Sequence, residues 1–565
     1  MKVVIVGGVA GGATAAARIR RLDEDAKIVV FERSGFVSYA NCGLPYYVGG
    51  VIKNPSELTL QTPESFWKRF KIDVRVLHEV VSIDVKEKTV SVKNLNTGQV
   101  RVESYDKLLL STGAMPTKPQ MQGTDSHNVF TLRTVEDTFN VKKFVELKKP
   151  GKVLLAGGGY ISLELAENLA AKGIDVTIVQ RPDQLLAPLD KDMVCAIHGK
   201  LRDKGVNIRL KSSVEKLQHE NGKIKAILKD DEPIEADMVI LAMGVTPDTI
   251  LAKKAGLELG IKGSIVVNEF METSETDIYA VGDAVQVKHV VTGEADLISL
   301  AGPANKQGRI AADNICGDHS IYKGSQGSSV IKVFDLTVAM TGINEKKAQK
   351  LGIDYDKIIL SPLSHAEYYP KATTMTMKVI YEKSSLKLLG AQIIGHDGVD
   401  KRIDVLATAI NVGLTAVQLK DLDLAYAPPY SSAKDPVNMA GFMIENISKG
   451  LVKQLHPDDI DELRERNDVI LLDTRTEKEY NEGHADGFVN IPVDDLRERL
   501  NELDNTKKIC VMCQTGLRSY IACRILSQTG FDCYNFSGGY RFYEMIEKDA
   551  CAFGRAYQCG MDRKQ

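Results

Sequence analysis

Lys2-Val3-Val4-Ile5-Val6-Gly7-Gly8-Val9-Ala10-Gly11-Gly12 is the stretch that decides the architecture of the first part of the chain. Val3 to Val6 are uninterrupted branched apolar residues, the pattern of a buried parallel strand. They run into a turn holding Gly7, Gly8, Gly11 and Gly12, and the alanine-rich segment Ala13 to Arg21 opens a helix. A second strand, Lys27 to Phe31, ends at Glu32 and is followed by Arg33. Glycines at such a turn let the backbone approach a pyrophosphate, the helix N-terminus faces its charge, and the acid accepts from a ribose hydroxyl. Val9 stands where the middle glycine is usual, so the assignment rests on the whole strand–turn–helix–strand–acid context.

A second copy follows. Lys152 to Ala156 leads into Gly157-Gly158-Gly159-Tyr160-Ile161-Ser162, and Val176 to Val179 ends in Gln180-Arg181. Serine replaces the last glycine and is small enough for close helix–strand packing. An acid at the strand end would favour NADH and repel a 2′-phosphate, whereas an arginine pairs with one, so both NADH and NADPH stay open. Leu108 to Ala114 (with Thr112 and Gly113) and Val239 to Gly244 are strands running into glycine turns. Thr273 to Asp283 is a further strand that ends in Gly282-Asp283.

These five segments, in this order, resemble the pyridine nucleotide–disulfide oxidoreductase family over residues 1–445. The resemblance implies an α/β protein with two Rossmann-like nucleotide-binding domains: 1–115 with 248–325 for FAD, and 116–247 for NAD(P)H. It further implies an α+β dimerisation domain at 326–445 that completes the active site of a partner subunit. The implied cofactor contacts are Gly7, Gly8, Gly11, Gly12, Glu32, Arg33, Thr112, Gly113, Gly282, Asp283, Pro303 and Ala304, and, in the second unit, Gly157, Gly159, Tyr160, Glu164, Gln180 and Gly244.

Within that frame the loop Ser38-Tyr39-Ala40-Asn41-Cys42-Gly43 carries a cysteine whose next neighbour in sequence is Cys195, so no dithiol motif is available. A lone cysteine is either inert packing or a one-thiol redox centre whose partner sulfur arrives with the substrate. The single-cysteine branches of the family are NADH oxidases and peroxidases, which cycle through a sulfenic acid, and coenzyme A disulfide reductases. The oxidases and peroxidases usually carry a histidine at the position of Ala10, and alanine moves no proton, so the coenzyme A branch is favoured. By resemblance the coenzyme A contacts are Thr14, Arg18, Arg21, Ser38 and Asn41, with Arg69, Lys71, Asn305 and Lys434 as further candidates. Thr14, Arg18 and Arg21 share roughly one helix face. His365 to Pro370 and Tyr426 to Tyr430 resemble the family's two tyrosine motifs, which makes Tyr368 and Tyr426 the pair that reaches the substrate sulfur from the other subunit.

After Gly441 the text changes. Residues 446–456 read as a linker, with Ile444 to Gln454 open to being the end of a helix, and 457–565 read as a separate α/β domain. The strand Val469 to Asp473 precedes Arg475, and Lys508 to Met512 delivers Cys513-Gln514-Thr515-Gly516-Leu517-Arg518-Ser519 just before a helix from Tyr520 to Leu526. Backbone N–H groups around Cys513 at a helix N-terminus, with Arg518 adding positive charge, would favour a thiolate or a persulfide anion. This segment resembles a rhodanese domain. Cys510 and Cys513 form a CxxC in letters only: Cys510 sits inside the strand and no second pair exists for a metal. His484 reads as structural, and Cys523, Cys533, Cys551 and Cys559 show no spacing that implies chemistry.

The bulk numbers agree. The 565 residues exceed one core and point to three or four domains. A net charge of −3 leaves no basic excess for nucleic acid. Nine scattered cysteines fit a reducing, cytoplasmic setting, and no apolar run reaches membrane-spanning length. The expectation is a homodimeric FAD-dependent reductase taking electrons from NAD(P)H to coenzyme A disulfide, coenzyme A persulfide or polysulfide through Cys42, with Cys513 handling sulfane sulfur. The alternatives are a sulfenic-acid oxidase or peroxidase, and a sulfurtransferase or sulfide sensor that uses the flavin part as scaffold.

Overall fold

The computed structural model describes residues 1–554, so Cys559 lies outside the described residues. The chain forms two compact units. One contains Met1–Leu186 and Lys204–Gly327; the other contains Ala187–Asp203 and the chain from Ser328 onward.

The first unit is built on two parallel five-stranded sheets. Across the first, the order is Ile278–Ala280, Lys107–Leu110, Lys2–Val6, Lys27–Glu32 and Asp73–Val76. Across the second it is Asn207–Leu210, Asp175–Gln180, Lys152–Ala156, Met238–Leu241 and Val129–Phe130. The apolar runs thus occupy the centre of each sheet, where both faces are covered, and Val3, Val4 and Ile5 are fully buried. Each glycine turn begins in the same way. Gly7 has φ +98° and a Cβ there would stand 2.1 Å from the Ser111 carbonyl oxygen; Gly157 has φ +114° and a Cβ would stand 2.2 Å from that of Ala242. Only glycine fits where the turn bends against the returning strand.

In the second unit an antiparallel sheet has the order Ser329–Val333, Leu336–Gly342, Leu388–Gly395, Thr376–Glu382 and Tyr355–Leu360. The helix Lys191–Asp203 belongs to this unit although its neighbours in sequence belong to the first. A parallel sheet follows in the order Lys453–Leu455, Cys533–Phe536, Lys508–Met512, Val469–Asp473 and Val489–Asn490.

Residues 446–456 hold a helix end, one of the two expected readings, and a strand that was not expected. The helix Pro436–Ser448 occupies their start, and Gly450 at φ +67° ends it in the left-handed conformation typical of a helix C-terminus. Lys453–Leu455 then pairs with Tyr534–Phe536 as the edge strand of the last sheet. The Gln454 amide donates to the Lys357 carbonyl at 2.7 Å, which fastens this strand to the edge of the antiparallel sheet. Three residues are too short for strand periodicity to show. Cys510 is packing, as expected: it is buried in its strand, which pushes its thiol up to about 12. No helix among the described residues is long and apolar enough to cross a membrane.

Candidate functional site

Cys42 sits in a single turn of 3-10 helix, Asn41–Gly43, that leads into the helix Leu44–Gly49, and its side chain reaches the surface. Three anchors place it. The Ser38 N–H donates to the Gly8 carbonyl at 2.9 Å, which ties the loop to the first glycine turn. The Ala40 N–H donates to the Leu58 carbonyl at 2.7 Å, and Tyr39 bridges Thr59. The Asn41 amide accepts from Arg133 Nη1 at 2.9 Å and donates to the Arg133 carbonyl at 3.0 Å.

Arg133 is a residue that sequence reasoning missed. Its Nη2 donates to Asp283 Oδ2 at 2.7 Å and its Nε to the Ala114 carbonyl at 3.2 Å. One guanidinium therefore links the cysteine loop, the start of the short strand Ala114–Pro116 and the Gly-Asp aspartate. The sequence offers no motif for it; the nearest signal is the Thr134–Asp137 capping box that starts the next helix. Burial and then the Glu164 carboxylate push the Cys42 thiol up, Arg133 opposes them, and Asp283 adds a smaller push upward. Glu164, on the helix Tyr160–Ala170, is itself raised to about 7 by burial, with Tyr46 opposing; Tyr46 Oη donates to Glu164 at 3.4 Å.

The remaining first-unit residues cluster around the first glycine turn. Thr14 Oγ1 donates to Asn305 Oδ1 at 2.7 Å, and the helix carrying Asn305 starts at Ala301, with Pro303 and Ala304 in its first turn. The Gly282 N–H donates to Gln307 on that helix at 2.7 Å. Thr112 Oγ1 donates to the Asp248 carbonyl at 2.6 Å, and Arg33 pairs with the Asp248 carboxylate at 2.8 Å. The basic face of the first helix is less uniform than its spacing implied: Arg18 is tied to Asp313 at 2.7 Å, while Arg21 is exposed. Arg69, Lys71 and Lys434 are exposed.

In the second unit the Tyr368 and Tyr426 hydroxyls lie 2.8 Å apart, with the side chains 75% and 47% exposed. Arg402, also missed in the sequence, holds their two loops together. It is buried, donates to the Ser364 carbonyl at 3.0 Å and the Tyr430 carbonyl at 3.3 Å, and pairs with Asp435 at 3.1 Å.

Cys513 is cradled as its loop predicted. The Gly516 N–H donates to its Sγ at 3.1 Å and Ser519 Oγ at 3.3 Å. Arg518, whose guanidinium interacts electrostatically with Cys513, also has a carboxylate partner. Its guanidinium forms a two-pronged pair with Glu479 at 2.6 and 2.7 Å, and Arg518 first of all holds that carboxyl down to about 2. Glu479 caps its own helix through Thr476, so the pair clamps the cysteine loop to a neighbouring element. Arg475 braces the other side: it is buried, pairs with Asp473, lies 3.9 Å over the Tyr540 ring and donates to Gln514 at 3.3 Å. His484 Nδ1 donates to the Tyr480 carbonyl at 3.0 Å and its ring stacks on that of Tyr480 at 3.9 Å, a structural role as expected.

The family model described as pyridine nucleotide-disulphide oxidoreductase matches residues 1–308, and the dimerisation domain of the same family matches 328–436. The chain belongs to the pyridine nucleotide–disulphide oxidoreductase family. A rhodanese-like domain matches residues 456–545. A crystal structure of reduced CoADR-RHD from Bacillus anthracis is 47% identical, covers 97% of this chain and 98% of its own, and superposes with a TM-score of 0.95. An NAD-dependent persulfide reductase from A. fulgidus is 39% identical over 96% of this chain and 100% of its own, with a TM-score of 0.90. The coenzyme A disulfide reductase of Staphylococcus haemolyticus is 36% identical over 447 residues, which is 79% of this chain and all of the relative.

As a member of this family the chain is an oxidoreductase that uses FAD and NAD(P)H. Its residues fit both nucleotides. At the first turn the Gly8 and Ser34 N–H groups each donate at 2.9 Å to the buried Glu32 carboxylate, which fixes the acid at the strand end. Beside it Glu136 accepts from the Gly35 N–H, while its second carboxylate oxygen is buried with no protein partner, an acceptor left over for a ligand. The second turn repeats the geometry: the Gly158 N–H donates to Gln180 Oε1 at 3.0 Å. Here the strand-end group is a neutral amide, which repels no 2′-phosphate.

Glu164 gives the site a testable electrostatic consequence. Below about pH 7 its carboxyl is neutral, and above that it is charged and opposes a thiolate at Cys42. Glu164→Gln is therefore expected to move the pH midpoint of Cys42 alkylation downward, with the largest rate gain above pH 7. An unchanged midpoint would show that the two groups do not interact.

Proposed function

We propose that this chain is a homodimeric NAD(P)H-dependent reductase of coenzyme A disulfide and coenzyme A persulfide, with Cys42 as its one redox thiol. The observation that carries the reading is the place of Cys42: a surface-reaching thiol without a second cysteine beside it, in a loop bonded to the first glycine turn and, through Arg133, to Asp283. By this reading 1–115 and 248–325 hold FAD and 116–247 hold NAD(P)H. Bound FAD supplies the relay that turns a hydride donor into a two-electron reductant of sulfur.

The residues then do the following. The Cys42 thiolate attacks one sulfur of coenzyme A disulfide; that S–S bond breaks and one coenzyme A thiolate leaves. Cys42 is left in a mixed disulfide with the second coenzyme A, and two electrons originating from NAD(P)H restore the Cys42 thiolate and free that second thiolate. With coenzyme A persulfide, attack at the inner sulfur releases hydrosulfide and forms the same mixed disulfide. Tyr368 and Tyr426 of one subunit serve the Cys42 of the other: one hydroxyl donates to its neighbour, and that neighbour donates its own proton to the departing thiolate. Thr14, Arg18, Arg21, Ser38, Asn41, Arg69, Lys71, Asn305 and Lys434 form the coenzyme A contact set in this proposal. Cys513 carries sulfane sulfur as a persulfide stabilised by the Gly516 N–H and Ser519 hydroxyl.

Anaerobic NADH and NADPH oxidation with coenzyme A disulfide, coenzyme A persulfide and polysulfide tests the proposal. The expected result is rapid turnover with at least one coenzyme A substrate. In Cys513→Ser, sulfur transfer from thiosulfate is lost while coenzyme A disulfide reduction persists. Fast consumption of oxygen or peroxide without turnover of any disulfide or persulfide would replace this reading with the sulfenic-acid one.

A further inference from the structure

The chain has one tryptophan, Trp67, and it is 56% exposed. Isolated exposed apolar residues are ordinary, but an open indole offers a flat face of the kind that binding surfaces use. Its helix, Pro63–Phe70, is held firmly by other means. Thr62 and Ser65 form a capping box at its start, Phe66 is buried beneath it, and Ile72 just beyond it is fully buried.

The position of this helix is set at both ends by the elements that carry the proposed coenzyme A contacts. At its start, Leu58 to Leu60 pair with the cysteine loop: the Ala40 N–H donates to Leu58, and the Leu60 N–H donates to the Ser38 carbonyl at 2.9 Å. At its end, Arg20 of the first helix donates through Nε to the Phe70 carbonyl at 2.7 Å and through Nη2 to the Lys71 carbonyl at 3.2 Å. Arg20 is buried and shares its helix with Thr14, Arg18 and Arg21. The open indole is therefore mounted on a segment stapled to Ser38 on one side and to the first helix on the other. Cations surround it in sequence: Lys68, Arg69 and Lys71 are exposed, and Lys71 Nζ stands 5.4 Å from the centre of the Trp67 ring. Arg69 has no carboxylate partner among the described residues.

A flat aromatic face with exposed cations beside it has the chemistry to receive a purine ring linked to phosphates, since stacking takes the base and the cations take the charge. We propose that Trp67 is the stacking platform for the adenine of the coenzyme A substrate, with Arg69 and Lys71 set against its phosphates. The inference rests on the coenzyme A reading above and adds what selects a coenzyme A disulfide over a shorter disulfide: the adenosine end is held 67 to 71 while the sulfur is presented to Cys42.

Two disulfides separate the inference from its premise. Coenzyme A disulfide has the adenosine phosphate end, and pantethine has the same arms without it. The ratio of kcat/KM for coenzyme A disulfide to that for pantethine is expected to fall roughly ten-fold in Trp67→Ala holoenzyme, and Trp67→Phe should recover most of it. Equal losses on both substrates would mean a structural role and overturn the proposal, as would an unchanged ratio. Trp67 also reports directly, being the sole tryptophan. Adding adenosine 3′,5′-bisphosphate to the wild-type holoenzyme should change its tryptophan emission saturably, whereas pantetheine should leave it unchanged. No response to the bisphosphate overturns the platform. If the wild type reduces neither disulfide, the functional premise fails, and the emission titration still decides whether Trp67 receives an adenosine bisphosphate.

Discussion

Cys42→Ser is expected to lower NADH-driven turnover of coenzyme A disulfide by at least about a thousand-fold while the protein keeps its flavin. A serine hydroxyl neither attacks a disulfide sulfur at neutral pH nor forms a mixed disulfide, so the covalent step has no substitute. No second thiol lies in the loop, and the next cysteine in sequence, Cys195, is buried. The fold should survive: the loop is held by backbone bonds from Ser38 and Ala40 and by the Asn41–Arg133 pair, none of which uses the sulfur. Steady-state assays together with flavin absorbance before and after adding NADH check both halves. The variant should still bleach its flavin with NADH and then fail to pass the electrons on. Retention of a tenth or more of wild-type turnover would remove Cys42 from the mechanism, and loss of flavin would show that the serine perturbs the fold.

The parts of this protein that the sequence made legible share one property: a local constraint that only certain residues meet. Gly7 and Gly157 must be glycine because each turn bends against a carbonyl, so the two nucleotide units show as letters. The loop from Cys513 to Arg518 is legible for the same reason, since a short run must aim its N–H groups at one sulfur. What stayed hidden is long-range pairing. Arg133 looks like any charged residue before a helix, yet it joins Asn41 to Asp283. Arg518 reads as a charge for the sulfur, and its second partner, Glu479, lies 39 residues earlier where no motif points to it. Trp67 is the one tryptophan and lies next to Lys68 and Arg69, but a letter alone does not tell an open ring from a buried one. The strand within 446–456 stayed hidden because a three-residue edge strand has no periodicity to show.

Lys378 is the strongest case of such hidden pairing and carries the second large effect. In Thr376–Glu382 it alternates like a solvent-facing strand residue, yet it is completely buried. Its ammonium meets Asp190 at 3.0 Å, Asp192 at 2.8 Å and Glu345. The three carboxylates approach one another closely enough to hold a metal ion, and the lysine occupies that place. Burial would lower the lysine and raise the acids. The carboxylates overcome this for Lys378 and hold it up, and Lys378 with Lys357 holds Glu345 down to about 2. Lys378→Met keeps the volume and removes the charge, which leaves one buried and two half-buried acids facing one another. Breaking a buried network from one side costs about 3–5 kcal/mol, which corresponds to a fall of about 6–20 °C in the unfolding temperature for a body of this size. Lys357→Met removes a cation that Glu345 shares with Lys378, so a smaller fall is expected. The sign of the pH dependence follows from Glu345. Its folded value lies below its ordinary one, so its stabilising share is complete above about pH 4.5 and fades as pH falls towards 2. Thermal melts of wild type and Lys378→Met should therefore differ most at neutral pH and converge below pH 4.5. A variant that melts within a degree or two of the wild type at pH 7 would mean that its carboxylates take up protons cheaply, and that Lys378 is not the group holding this corner of the fold together.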